Sequence, residues 1–240
     1  EKRIRFNGHY PYRCDEREYR RLEHDERYRE ELLRRILRDE MARWVRLAEE
    51  KLAGAGVHCL VMPGNDDEFE IDDVLARSET VVNPDGRVVR FDGYQMLSSA
   101  WANPTPWDSP RELPEDELER KLEEIAGGLE PGVPAIFNLH CPPFRSTLDQ
   151  APELTKDLRV VTTGGEPRLV PVGSTAVRAF IERHQPLLGL HGHIHESRGA
   201  TMIGRTLCLN PGSVYGEGVL DGALVDVEGD RVVRHQLVSG

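Results

Sequence analysis

His191-Gly192-His193-Ile194-His195 follows directly on the apolar run Pro186-Leu187-Leu188-Gly189-Leu190. A run that short and apolar reads as a buried strand, which puts the three imidazoles in the loop at its C-terminal end. In open α/β sheets that edge is where ligands bind. Neutral imidazole suits zinc, iron, nickel and copper, and alternate residues on an extended backbone can reach two neighbouring ions. The bland alternative is a polar loop whose histidines meet only water; three in five residues favour metal.

Two further strand candidates end in the same way. Val57-His58-Cys59-Leu60-Val61-Met62 is closed by Pro63-Gly64 and followed by Asn65-Asp66-Asp67, and Pro134 to Leu139 ends at His140-Cys141-Pro142-Pro143. If the three strands lie in parallel, their C-terminal ends meet on one edge. Asn65 then offers a carbonyl oxygen, and His140, His193 and His195 offer imidazoles. Taken singly, Asn65 is a turn residue and His140 a hydrogen-bonded strand-end histidine; jointly they make a donor set. Cys141, with two prolines following and no activating base evident, reads as a buried thiol.

The rest of the chain supplies helices and hairpins. Residues 1–13, with Phe6, Tyr10, Pro11 and Tyr12, read as a surface lead-in. Asp15 and Glu18 have capping-box spacing. Leu33, Leu37, Met41, Val45, Ala48 and Leu52 then form an apolar stripe on a charged helix ended by Gly54 and Gly56. A single rod from 15 to 53 would span roughly 58 Å, so a break is expected near His24 to Arg27. A short helix is expected around Phe69 to Ala76. Val81-Val82 and Val88-Val89 flank Asn83-Pro84-Asp85-Gly86 and predict a hairpin, with a further strand over Tyr94 to Ala100. Pro114 opens a helix carrying Leu118, Leu122, Ile125 and Ala126, and Ser174 caps another with Val177, Phe180 and Ile181 inward. The segment between His140 and Gly173 has few periodic signals, a common mark of functional loops. Thr206 to Leu209 is a strand ending in Asn210-Pro211-Gly212-Ser213, and the tail is a hairpin of Leu220–Val227 and Val232–Leu237.

Strands alternating with helices imply parallel pairing, and the hairpins add antiparallel strands. The expected class is α/β: two stacked mixed β-sheets flanked by helices, a four-layer α/β/β/α sandwich. Residues 1–240 are read as a single domain, with 1–56 as lead-in and long helix and 57–240 as the core with the terminal meander.

Composition narrows the function classes. Two hundred and forty residues can bury a sizeable core. The net charge of −11 argues against a general nucleic-acid binder, because counterion release needs a basic face. It does not exclude an anionic substrate, since bound cations can dominate the local field. Cys14, Cys59, Cys141 and Cys208 are widely separated, as in reduced cytosolic thiols. No apolar run has membrane-spanning length and no signal peptide is evident, so a cytoplasmic protein with no membrane partner is expected.

Gly64-Asn65-Asp66-Asp67, the isolated His140 after a strand, and Gly192-His193-Ile194-His195 resemble the later blocks of the calcineurin-like metallophosphoesterases, usually written GNH(D/E), H and GHxH. The resemblance runs from about residue 57 to the C-terminus, and Asn210-Pro211-Gly212-Ser213 is similar to that family as well. It implies a β-sandwich flanked by helices and two divalent metal ions, Mn, Fe or Zn. Asn65, His140 and His193 would hold one ion and His195 the other. A hydroxide bridging the ions would attack the phosphorus of a small phosphorylated substrate, a mono- or diester, in line.

Two departures qualify what the resemblance implies. The family's upstream D-x-H and G-D blocks, which supply anionic ligands, do not precede residue 65. The remaining donors are all neutral, so the expectation is that an N-terminal strand unit is missing and that this chain binds one metal weakly or none. Asp66 stands where the family has a histidine that steadies the transition state or protonates the leaving group. Beside cations an aspartate is a poor acid, which leaves Asp66 to orient a water, add a metal contact or serve as a plain turn residue; as the catalytic residue it implies substrates whose leaving group needs little proton help. The rival reading is a catalytically impaired phosphoesterase-fold scaffold acting in binding.

Overall fold

The computed structural model describes Ile4 and residues 9–240; Phe6 of the expected lead-in lies outside the described residues. The chain divides into two compact units.

The first unit comprises residues up to Pro63, Asp67–Asn83 and Tyr215–Gly218. The long charged stretch forms α1 (Glu16–His24) and α2 (Glu26–Leu52), broken at Asp25 as expected. The carboxylate of Asp15 accepts from the Glu18 amide and that of Asp25 from the Tyr28 amide. Each aspartate thereby satisfies a backbone donor that a helix start leaves orphaned. Tyr12 and Tyr28 both donate to Oε1 of Glu18, at 2.7 and 2.6 Å, which fastens the turn between the helices. Val45 of the predicted stripe packs with Ile71 and Leu75 of α3 (Glu70–Leu75) and with Val81. A two-residue parallel pair, β1 (Cys59–Leu60) with β2 (Val81–Val82), completes this unit.

The second unit holds Gly64–Asp66, Pro84–Val214 and Val219–Gly240. Its centre is a six-stranded mixed sheet. Four parallel strands, β4 (Tyr94–Ser99), β5 (Ala135–Leu139), β10 (Leu188–Leu190) and β12 (Thr206–Asn210), are flanked by antiparallel β3 (Val88–Phe91) and β11 (Gly199–Ile203), in the order β11-β12-β10-β5-β4-β3. Helices α4 (Glu115–Ala126) and α5 (Thr175–His184) bury Leu118, Leu122, Val177, Phe180 and Ile181 in one cluster with Phe137 and Leu139. Each such side chain contributes roughly 1.5–3 kcal/mol. Phe137 and Phe180 stack at 4.9 Å. Ser174 caps α5 through the Val177 amide, and Glu115 accepts from the Ser174 hydroxyl and the Thr175 and Ala176 amides.

The α/β class with a mixed sheet and flanking helices is as expected. Outside the large sheet, the strands described form two-stranded pairs. These are β1-β2, β6 (Gln150–Pro152) with β9 (Leu169–Pro171), β7 (Thr162–Thr163) with β8 (Glu166–Pro167), and the tail hairpin β13 (Asp221–Glu228) with β14 (Arg231–Ser239).

The hairpin predicted around Asn83–Gly86 does not form. Val81-Val82 pairs with Cys59-Leu60, and β3 turns back on β4 through Asp92 (φ 49°) and Gly93 (φ 81°). Two successive positive φ values are the geometry of the tight two-residue hairpin. Asp85 serves another end, its Oδ1 accepting from the Ala100 amide at 2.7 Å.

Candidate metal centre

Of the three strands expected to share an edge, β5 and β10 do so as direct parallel neighbours. The segment before Asn65 pairs instead with β2, outside the large sheet. Asn65 reaches the histidines nonetheless. Its Oδ1 lies 2.9 Å from Nε2 of His140 and 3.0 Å from Nδ1 of His193, and the two rings meet edge to face with centroids 5.2 Å apart. A carbonyl oxygen only accepts, so each ring directs an N–H at Asn65 in this arrangement. Asn65 Nδ2 donates to Oδ1 of Asp66 at 3.1 Å, which turns the amide so that its oxygen faces the rings. Asp66 is exposed and in turn accepts from the Ser109 hydroxyl at 2.5 Å. The Asn65 carbonyl accepts the Arg111 amide.

Burial explains the protonation of the site. It pushes His140 down to about 3, helped by repulsion from His193, His195 and His191. His193 is also lowered, again mainly by burial, although the charges of Asp66 and Glu112 oppose the shift. Both rings are therefore neutral near pH 7; a cation at this junction would take the tautomers with the protons on His140 Nδ1 and His193 Nε2, which free the facing nitrogens to donate lone pairs.

Two glycine–histidine contacts show how closely the loops approach. A Cβ on Gly64 would sit 2.9 Å from Cε1 of His140. The glycine of the Gly-Asn pair is thus required by the ring lying against it. Gly64→Ala is expected to fold but to displace His140 and weaken divalent-cation affinity about 10- to 100-fold, measurable by calorimetric titration; unchanged affinity would refute the contact. At Gly189, a Cβ would come within 2.9 Å of both Cys208 Sγ and His191 Nε2.

The expected extended backbone at 191–195 is not present. His193 has φ +64° and begins a tight turn, a strained conformation for a residue other than glycine. In consequence His195 is exposed and is not hydrogen-bonded to Asn65, whereas His193 is. His195 is near enough for its charge to depress both His140 and His193.

Two residues not assigned a role from the sequence hold this turn. His191 is buried, and its Nδ1 donates to the carbonyls of Leu139 (2.9 Å) and Cys141 (3.1 Å), while Gly192 N–H donates to His140 O. The carbonyls of 139, 140 and 141 are all tied to the loop, so the backbone of His140 is fixed relative to His193. Burial lowers His191 to about 4, which keeps it the neutral donor this role needs. Asn210 is fully buried, and its Nδ2 donates to the carbonyls of Leu148, Gly192 and Ile194 while its Oδ1 accepts from Gly212. Its sequence signals were its place at the end of a strand and the family resemblance of Asn210-Pro211-Gly212-Ser213, neither of which showed what its side chain holds. Cys141 is the buried thiol expected, donating to Oδ1 of Asn103 and raised by burial to about 12; its carbonyl, not its sulfur, serves the site.

The chain is 31% identical over 167 residues to "Uncharacterized protein MJ1162" of Methanocaldococcus jannaschii, covering 68% of each protein. The two belong to one family. No protein-family profile matches the chain. The fold is shared with the crystal structure of TT1561 of Thermus thermophilus, at a TM-score of 0.55 and 19% identity over 85% of this chain and 79% of that one. Thermus thermophilus sulfate thiohydrolase SoxB in complex with glycerol is similar at a TM-score of 0.41 and 14% identity, over 82% of this chain and 34% of that one. The mixed sheet with flanking helices is thus a fold that this chain shares with TT1561. No helix among the described residues is long and apolar enough to cross a membrane.

The donors fit one divalent cation. Asn65 Oδ1, His140 Nε2 and His193 Nδ1 already face one another within 3.0 Å of the shared oxygen, and N/O donors of this kind suit the borderline metals. The described residues contain no cluster of three His, Cys, Asp or Glu side chains able to hold a metal, because the third convergent donor is an amide.

Proposed function

We propose that this protein is a metal-dependent phosphoesterase acting on small phosphate esters, with Asn65, His140 and His193 as ligands of one divalent cation and His195 serving a second. The observation that carries the reading is the junction of one amide oxygen with two neutral imidazoles, in loops that resemble metallophosphoesterase blocks. A cation held there supplies Lewis-acid stabilisation for charge developing on a phosphoryl group.

The chain's own residues set the conditions. Burial keeps His140 and His193 unprotonated. Asp66 holds the Asn65 amide in the orientation that presents oxygen, and Ser109 holds Asp66. Asp66 is the catalytic residue we assign, and as a carboxylate beside a cation it is a poor proton donor. The leaving group accordingly departs with its own negative charge. Rates across aryl phosphates of graded phenol acidity are therefore expected to rise steeply as the phenol becomes more acidic; a flat profile would refute the role of Asp66.

The specific observation favouring the second reading, an impaired scaffold, is that among the described residues no carboxylate joins the three convergent donors. Stoichiometric Mn, Fe or Zn in the purified protein, with hydrolysis of p-nitrophenyl phosphate or its bis ester lost on chelation and restored by metal, supports the enzyme. Metal-free protein with no hydrolysis supports the scaffold.

A further inference from the structure

A cavity of about 500 Å³ opens at the other end of the six-stranded sheet from the histidines. Its floor comes from the amino ends of the parallel strands, including Ala135, Leu187 and Leu207, and its wall from the tail hairpin. The volume lies within the usual range for small-molecule sites, roughly 300–1,000 Å³. We propose that it is a second ligand site, separate from the metal centre, that takes an organic anion with an apolar body of about mononucleotide size, anchored by Arg205.

Charge is the first argument. The chain carries −11 overall, yet the cavity is bordered by Arg205, Arg231 and Arg234 against one carboxylate, Asp230. Arg231 and Arg234 pair with Glu228 at 3.0 Å and Asp226 at 2.7 Å, both exposed contacts, and exposed pairs of this kind exchange partners at little cost. Arg205 has no carboxylate partner among the described residues, and a concentration of cations on an acidic protein calls for an anion.

The second argument is that Arg205 is built into place. Its Nε donates to the Gln185 carbonyl at 2.9 Å and its amide N–H to Gln185 Oε1 at 2.8 Å. Gln185 itself is left-handed (φ 46°) and also donates to the carbonyls of Ile181 and Glu182. Its amide lies over Gly204, where a Cβ would collide with Oε1. A strained residue and an obligatory glycine thus hold one guanidinium with its Nε side turned to the protein. The terminal nitrogens that remain are the fork that binds carboxylate or phosphate, and strain of this kind collects at ligand clamps.

The third argument is apolar surface left in water at the same place. Met202 and Val233 line the cavity and are 58% and 51% exposed. Large apolar side chains at the mouth of a charged cavity suit a ligand with a flat or aliphatic body.

The probes are adenosine 5′-monophosphate, 8-anilinonaphthalene-1-sulfonate and inorganic phosphate, each titrated into protein labelled with ¹³C at the methionine methyls. Met202 is one of four methionines and the one that lines the cavity. The two organic anions are expected to shift the Met202 resonance and leave those of Met41, Met62 and Met96 in place. Arg205→Gln should weaken both about tenfold or more. Val233→Glu, at an exposed position that can accept it without unfolding, should do the same by placing a negative charge at the mouth. An unmoved Met202 resonance, or wild-type affinity in either variant, overturns the proposal. Inorganic phosphate binding as tightly as the nucleotide overturns the apolar part of it.

Discussion

His140→Ala is expected to remove divalent-cation binding and to lower kcat/KM for an activated aryl phosphate by at least about 10³-fold, some 4 kcal/mol of transition-state stabilisation. The ring is one of two imidazoles meeting at Asn65 Oδ1, and a site of three neutral donors has no spare ligand with which to compensate. Burial at this position already excludes the protonated form, which is held down to about 3, so the truncation removes a neutral donor and leaves no buried charge unpaired. The fold should therefore survive, with a melting temperature near that of the parent protein. Exogenous imidazole can enter the space the ring vacates against Gly64, and partial recovery of metal binding and activity on adding it is the expected signature of a lost ligand. A variant that retains stoichiometric metal would exclude His140 from the centre.

His195→Ala provides the contrast. That side chain is exposed and stands outside the Asn65 junction. Cation binding by Asn65, His140 and His193 should persist in it, so its metal content separates the two classes of histidine within one five-residue motif.

The motif was legible in the sequence because density alone singles it out, and the α/β class was legible because helical and strand periods alternate. The break at Asp25 was legible as well, since a rod of unbroken helix is too long for the unit it serves and an aspartate there can cap the second helix. Strand partners were not legible. Asp85-Gly86 and Asp92-Gly93 offer the same turn chemistry, and the choice between them is made at a distance: Ala100 needs Asp85 as an acceptor, while Val82 is taken up by Leu60. Gly199–Ile203 escaped notice because an edge strand exposed at alternate positions, with Ala200 and Met202 outward, carries little apolar contrast.

The ligand candidates could be named from residue type and strand-end position, but their grouping could not. Asn65 joins the histidines without belonging to their sheet, and the positive φ that separates His193 from His195 falls on a residue whose type does not announce it. His191 illustrates the limit best. By composition it is a third histidine of the cluster, whereas its Nδ1 is committed to two backbone carbonyls. Nothing in a one-dimensional motif distinguishes a ligand from the residue that fixes a ligand's backbone.

Asn210→Ala should show that the turn is held from below as much as it is formed by its own sequence. One amide nitrogen serves the carbonyls of Leu148, Gly192 and Ile194, and the amide oxygen takes the Gly212 N–H. Some of these groups have a second partner: Ile194 N–H also donates to Gly192 O, and Ser197 N–H to Ile194 O. Among the described residues, the Leu148 carbonyl and the Gly212 amide have no other partner and lose their bonds. Leaving buried polar groups unsatisfied costs about 1–3 kcal/mol each, so destabilisation of about 3 kcal/mol is expected in urea unfolding, without a change in slope. The effect on metal should exceed what the fold alone accounts for. Gly192 and Ile194 flank His193, whose left-handed backbone is costly to keep; released from Asn210, the turn can relax and carry Nδ1 away from Asn65. Cation affinity is therefore expected to fall about 10- to 100-fold under conditions where the variant is still fully folded. Asn210→Asp, which keeps the acceptor for Gly212 and sets a carboxylate against three carbonyl oxygens, should be worse than alanine on both measures. If alanine lowers stability alone and leaves cation affinity intact, the strained turn is maintained by its own residues and Asn210 is only a packing element.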